Sequence, residues 1–501
     1  MRNEKINLAI LLLLSFILSI YLFFQTYVIS LDGAFQYVPV AKDFASGLFK
    51  KALNHSQQPL YSFLIAFVSQ WVSDFELAGK WVSTLFGIFM IFPVYFLGKR
   101  IFDERIAFLS TLLLVIHPHI RRFSADVLKE STYLFFLATA LWFGWRTIQN
   151  EKKYAFLFIP LFSVLAYLVR PDGFEVLLIV FFYILFVKEF SISGRKRTAI
   201  LLLLLSSVIL FLPYLFNLKE VRGEWTLSKA KSIVAMLGLE VKGDEIPFTY
   251  KIFYSFKRLN LEILYIFPPV YIFLLIIGLL KGIFSRLKTG EGLLLSFCAL
   301  HYVVLFLMVM NTTEWGADKK VLVNHLSARH VLPLLLISIY WIGEGFLAIY
   351  HWVYKKVESK FLLLRSGQER KSIIIMVSLL ILILAIVLPK TLKPQRYERL
   401  PEKWAGVWIK DQSGKEITLL TTLPRVAYYA GGKYEYIDFK NATLDKIKTS
   451  RVEGEALYLV LRGRDLADYP GIAESINRNF IEVIRYEKEG MEEIIVYKRV
   501  R

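Results

Sequence analysis

Ser30 to Tyr61 reads SLDGAFQYVPVAKDFASGLFKKALNHSQQPLY, a polar stretch placed directly after the apolar run Ile6 to Phe24. Apolar runs flank it on both sides, so it lies at one face of a membrane. Asp32 stands at the mouth of the first run, with Tyr37, Asp43, His55 and a Gln-Gln-Pro-Leu-Tyr run after it. Whether this stretch is a connector or a site depends on what the rest of the chain brings to the same face.

The class follows from composition. Of 501 residues, 56% are hydrophobic and 41 are Phe, and the mean hydropathy is +0.49. That leaves too few polar residues to cover a soluble surface, and apolar runs near the roughly 20 residues that cross a bilayer recur along the chain. The expectation is a polytopic α-helical membrane protein. The first run lacks a small-residue cleavage site and is long for a signal peptide, so it reads as a retained span. A lone cysteine, Cys298, excludes an intrachain disulfide. The formal charge of +19 falls largely in short loops, which is the usual topological signal and points to membrane lipids, not nucleic acid, as the partner.

About eleven spans are expected, near 5–28, 76–98, 104–118, 128–148, 154–169, 172–188, 198–216, 259–281, 291–310, 330–351 and 372–389. A cytoplasmic N-terminus in the plasma (inner) membrane puts the basic short loops inside, among them Lys99, Arg100 and Arg105, then Lys188 to Arg197, then Lys355 to Lys371. The long loops 29–75, 217–258 and 311–329 then lie outside. Residues 1–390 read as the transmembrane domain and 391–501 as a small extracytoplasmic α/β domain. In the latter, Ile417 to Thr421, Ala456 to Leu461, Ile481 to Tyr486 and Glu493 to Tyr497 read as strands. Pro401 to Lys410, Leu444 to Ser450 and Ile472 to Asn479 read as short helices.

Ionisable groups at a membrane face are functional candidates because they are costly to keep there. Asp32 is the first; it also fits a cap for a helix beginning near Gly33. Asp43, beside Lys42, reads as a surface charge. His117 to Glu130, HPHIRRFSADVLKE, gathers Arg121, Arg122, Asp126, Lys129 and Glu130 between two spans. Its arginines suit either snorkelling anchors or phosphate contacts, and its two histidines lack a third metal ligand. Arg170 sits in the short turn Val169-Arg170-Pro171-Asp172-Gly173. Arg329 precedes a late span in Ser327-Ala328-Arg329-His330 and offers a planar, permanently charged fork. Phosphate-loop, HExxH and GxSxG signatures are absent.

In their order along the chain these stretches resemble the GT-C membrane glycosyltransferases, in particular bacterial relatives of protein O-mannosyltransferases and of the lipid A aminoarabinose transferase. The resemblance rests on DGAFQYVPVAKDFASG with Asp32, Tyr37, Ala41 and Gly47, then HSQQPLY, SADVLKE, VRPDG and ARHVLPLLL, and covers roughly residues 1–350. It implies a polyprenyl-phosphate sugar donor used at the outer face, inverting transfer, and a lipid, glycan or protein hydroxyl as acceptor. Asp32 would be the general base. Arg329, then Arg170, Arg121, Arg122 and His330, would meet the donor phosphate, while Glu130, Tyr37, Gln58 and Tyr61 would orient the acceptor. No cofactor is firmly implied, and a divalent metal is possible but unsupported. Two positions depart from the family pattern: Gly33 follows Asp32 where many relatives carry a second acid, and His330 stands where relatives often have Tyr. A transporter or flippase of lipid-linked sugars would share the spans and cations without needing Asp32. A surface-polysaccharide polymerase or ligase would be expected to carry a larger late outer loop.

Overall fold

In the computed structural model the described residues are 2–149, 155–186, 193–226, 246–284, 288–315, 322–360, 368–413, 417–437, 456–468, 476 and 479–500. Among them, six helices are long and apolar enough to cross a membrane: Glu4–Phe24, Phe75–Ile101, Ile200–Arg222, Thr289–Thr312, Leu332–Glu358 and Arg370–Leu392. The number rises to eight if two bent pairs each count as one span. The chain is a multi-pass membrane protein; the described residues do not confirm the expected count of eleven spans. In the regions of the spans expected at 128–148, 154–169 and 172–188, the described residues hold the helices Glu130–Ile148, Ala155–Val169 and Glu175–Phe186. The span expected at 259–281 is instead two helices, Phe248–Ile266 and Pro269–Gly282, meeting at 103°. Pro268 and Pro269 explain the break, since proline lacks the amide donor and forces the preceding residue out of the helical region. Phe267 is accordingly extended, with φ −86° and ψ 113°.

Two compact units divide the chain, Met1–Tyr21 with Val40–Leu392, and Leu22–Pro39 with Lys393–Arg501. In the first, the window of Leu332–Glu358 is 83% buried and that of Arg370–Leu392 only 11%. The former is a central helix, and the latter turns its Ile373, Ile374 and Leu382 outward. Helix starts follow local rules. Asp74 accepts from the amides of Glu76 and Leu77 at 2.7 and 3.0 Å, and Asp103 accepts from Ile106 at 2.8 Å.

The second unit holds a five-stranded sheet in the order Lys433–Tyr436, Ile417–Thr421, Ala456–Arg462, Ile494–Arg499, Phe480–Tyr486. Its first three strands run parallel, and Ile494–Arg499 is antiparallel to both its neighbours. Alternate side chains feed two cores. Leu419, Tyr458, Val460 and Val496 pack with Ala405, Ile409 and Val426 of helices Leu400–Ser413 and Pro424–Ala430. Leu420, Leu459, Leu461 and Ile495 form the other face. The strand Lys433–Tyr436 was not expected. The helix expected at Leu444 to Ser450 lies outside the described residues, as does most of that expected at Ile472 to Asn479.

Leu22–Pro39 belongs with this unit for a local reason. Gln395 donates its backbone amide to the Gln25 carbonyl at 2.9 Å, and its side chain donates to the Thr26 hydroxyl at 2.9 Å. Arg396 donates to the Val28 carbonyl at 2.7 Å. The segment after the first span is thus stitched to the residues that follow the last one.

Candidate active site

Asp32 lies in the second unit, half-buried, at the start of a five-residue π-helical turn, Gly33–Tyr37. Such turns are rare and concentrate at functional sites. The capping alternative for Asp32 is not what the turn uses. Its side chain makes no capping hydrogen bond, and the Ser30 hydroxyl takes the Gly33 amide instead, at 3.1 Å. Tyr37 is buried in the same turn.

In the first unit, two short turns come together where helices end. The Arg170 guanidinium holds both oxygens of Asp172, each at 3.0 Å, and lies over the Tyr133 ring at 4.9 Å. Its remaining nitrogen donates to the Arg329 carbonyl at 3.1 Å. One residue further, the His330 carbonyl meets Nε2 of His301 at 3.0 Å, and Nδ1 of that ring meets Glu175 at 2.8 Å. Both ring nitrogens therefore face oxygen acceptors, and a proton shared between Nδ1 and the carboxylate keeps Nε2–H available as donor. Two carboxylate-backed donors, Asp172–Arg170 and Glu175–His301, hold consecutive carbonyls of the turn that carries Arg329.

The Arg170 turn needs Gly173. A Cβ there would fall 2.3 Å from the Tyr167 amide nitrogen and 2.4 Å from the Ala166 carbonyl carbon.

Arg329 points Nε at the Ser327 hydroxyl, 3.2 Å, and at Glu130, 3.9 Å. Glu130 is 1% exposed, and among the described residues neither of its oxygens has a hydrogen-bond donor. Lys129, in the loop before Glu130, donates to the Gln57 side chain at 3.1 Å. Burial, with Arg170 next, pushes the Lys129 ammonium down to about 8, against the pull of Glu130. Arg170 behaves oppositely: burial opposes its charge, but Asp172, Tyr133 and Glu130 together more than offset this and the guanidinium is held protonated more firmly than usual. Among the charges acting on Lys129 are Arg170 and Arg329 on one side and Glu130 and Asp172 on the other.

Other expected residues sit elsewhere. Arg121 is fully buried, donating to Ser15, Ser19 and the Gly87 carbonyl at 2.7, 3.0 and 3.0 Å. Two of its guanidinium nitrogens are thus engaged in helix packing, and Nε is buried with no hydrogen-bond partner among the described residues. Arg122 is half-buried on the same short helix, Pro118–Ser124. Tyr61 is also fully buried, its hydroxyl on Ser83 at 2.7 Å and the Gly79 carbonyl at 3.3 Å, so it ties helices together. Gln58 is buried and accepts from Tyr214. His330 closes its own turn through Nδ1 and Ser327 at 3.0 Å, and burial together with Arg170 and Arg329 keeps its imidazole neutral. Among the described residues no group of three or more His, Cys, Asp or Glu side chains is placed to hold a metal ion.

Sequence reading missed Glu175 and His301. Their signal was there: Glu175 is the lone acid and His301 the lone histidine in the apolar runs FEVLLIVFF and CALHYVVLF.

This architecture is the GT-C fold of membrane glycosyltransferases, as the resemblance implies. Over 98% of this chain and 97% of the other, it matches ArnT from Cupriavidus metallidurans bound to undecaprenyl phosphate, with TM-score 0.60 and 12% identity. It also matches the archaeal oligosaccharyltransferase AglB from Archaeoglobus fulgidus in complex with an inhibitory peptide and a dolichol-phosphate, with TM-score 0.53, 12% identity, and 98% and 74% of the two chains covered. The Archaeoglobus fulgidus oligosaccharyltransferase in complex with Zn and sulfate matches at TM-score 0.55 and 12% identity, over 96% and 72%. Residues 54–216 match the family described as dolichyl-phosphate-mannose-protein mannosyltransferase. No curated protein matches the sequence.

Proposed function

We propose that this protein is an inverting glycosyltransferase that moves a sugar from a polyprenyl-phosphate donor to an acceptor hydroxyl on a lipid, glycan or protein, at the outer face of the plasma membrane. The observation that carries the reading is the gathering of Lys129, Arg170 and Arg329 beside the buried Glu130, on a fold whose solved examples include one bound to undecaprenyl phosphate. A polyprenyl-phosphate sugar is a phosphodiester with one negative charge. Arg329 and Lys129 meet that phosphate, and Arg170 braces the turn beneath Arg329.

In the reaction Asp32 takes the proton of the acceptor hydroxyl while its oxygen attacks the anomeric carbon. The bond from that carbon to the phosphate oxygen breaks, and polyprenyl phosphate leaves carrying a second negative charge. Fixed cations gain most from that added charge, so they favour the transition state over the bound donor. Glu130 orients Arg329, with Arg122, Tyr37 and Gln58 in supporting positions.

Asp32→Asn tests the reading against a carrier that moves lipid-linked sugar without chemistry. Turnover falls by about 10²–10⁴-fold, the range for loss of a general base, while donor binding stays. Transfer at the normal rate would remove Asp32 as the base.

A further inference from the structure

The run Leu423 to Gly432, LPRVAYYAGG, forms the helix Pro424–Ala430. Pro424 starts it, and Gly431 ends it at φ +71°, a conformation that favours glycine. Arg425 and Tyr429 are four residues apart and therefore share one face. Both reach one residue, Ile29. The Tyr429 hydroxyl accepts the Ile29 amide hydrogen at 2.9 Å, and Arg425 Nε donates to the Ile29 carbonyl at 2.9 Å. Ile29 is fully buried. The same helix packs against the turn Gly33–Tyr37.

Arg425 is itself fixed from behind by Glu402, whose carboxylate lies 3.4 Å from Nη1 and is 1% exposed. Burial raises the Glu402 carboxyl and lowers the Arg425 guanidinium. From Ile29 the path to Asp32 is short. Ser30 follows, its hydroxyl holds the Gly33 amide, and Asp32 stands between them.

We infer that Tyr429 and Arg425 are positioning residues for Asp32, and that the C-terminal unit serves the reaction by clamping Ile29 and so fixing where the base stands. The inference rests on the reading of Asp32 as the base. A base displaced by about 1 Å loses rate steeply while donor affinity, which resides in other side chains, does not change.

The test is a double-mutant cycle between Tyr429 and Asp32 in the full-length protein, reading kcat and donor KM with a polyprenyl-phosphate sugar. Y429F keeps the ring and removes only the hydroxyl. It lowers kcat by roughly five- to tenfold with donor KM within about twofold. In a D32N background, read under single-turnover conditions with excess enzyme, Y429F changes the rate by less than about twofold, because its effect passes through the base. An equal factor in both backgrounds, or an unchanged kcat for Y429F alone, overturns the clamp. If D32N keeps normal turnover, the base reading fails instead, so the two failures are distinguishable. Should Y429F not fold, R425K takes its place in the same cycle, keeping the charge beside Glu402 while losing the Nε donor.

Discussion

Arg170 donates to the backbone carbonyl of Arg329 across 159 positions of sequence. Two cations that would repel as bare charges are thereby set next to each other, one turned to its own turn by Asp172 and the other left to face Glu130 and Lys129. Under the proposed function Arg170 is a brace and Arg329 the contact, and this separates what substitutions at the two should do.

Arg329→Ala removes a charged donor from the phosphate. A hydrogen bond to a charged group contributes about 1.5–3 kcal/mol, which raises donor KM about ten- to a hundredfold. Arg329→Lys recovers only part of this, because an ammonium lacks the planar fork. Steady-state kinetics with varied donor checks both; an unchanged KM for the alanine variant removes Arg329 from the donor site.

Asp172→Ala leaves Arg170 buried and unpaired. Breaking a buried ion pair costs about 3–5 kcal/mol, so thermal unfolding in detergent shifts down. Gly173→Ala acts on the same turn through a clash with the Ala166–Tyr167 backbone and lowers stability in the same assay. If both variants melt like the parent, the turn does not carry the role assigned to it.

His301→Leu preserves bulk but removes the donor to the His330 carbonyl, and Glu175→Leu removes its backing. Each loosens the Arg329 turn and raises donor KM by about three- to tenfold, the worth of one ordinary hydrogen bond. Glu175→Gln stays closer to the parent, because an amide can donate to Nδ1 and leave Nε2–H for the carbonyl. Equal effects of Glu175→Leu and Glu175→Gln would argue against this ordering of the ring.

Lys129 gives a pH dependence. Burial lowers its folded-state value from the usual 10.5 to about 8, so its charge is lost as pH rises through about 8 and donor KM climbs above that point. The sign for stability is opposite. Between about pH 8 and 10.5 the unfolded chain binds the proton and the folded one does not, so this group's contribution to stability improves as pH rises. Lys129→Arg keeps the charge and flattens the KM profile. A profile indifferent to that substitution would exclude Lys129 as a donor contact.

Much of this site was legible in the sequence because charges stand out against apolar runs. Arg170, Arg329, Lys129 and Glu130 could be found by position alone. The bend at Pro268 and Pro269 was available from the proline pair but was read through as one span. Partners distant in sequence were not legible. That Ile29 is held by residues 396 and 400 positions away follows from packing, not from local pattern. Arg121 looked like a surface cation because nothing local shows that Ser15 and Ser19, four apart on the first span, make room for its guanidinium.

The most direct measurement is mass analysis of products after incubating the purified protein with a panel of polyprenyl-phosphate sugars and candidate acceptors. The expected result is a glycosylated acceptor and free polyprenyl phosphate from at least one monophosphate donor, both abolished by Asp32→Asn. Absence of transfer from every monophosphate donor would contradict the glycosyltransferase reading.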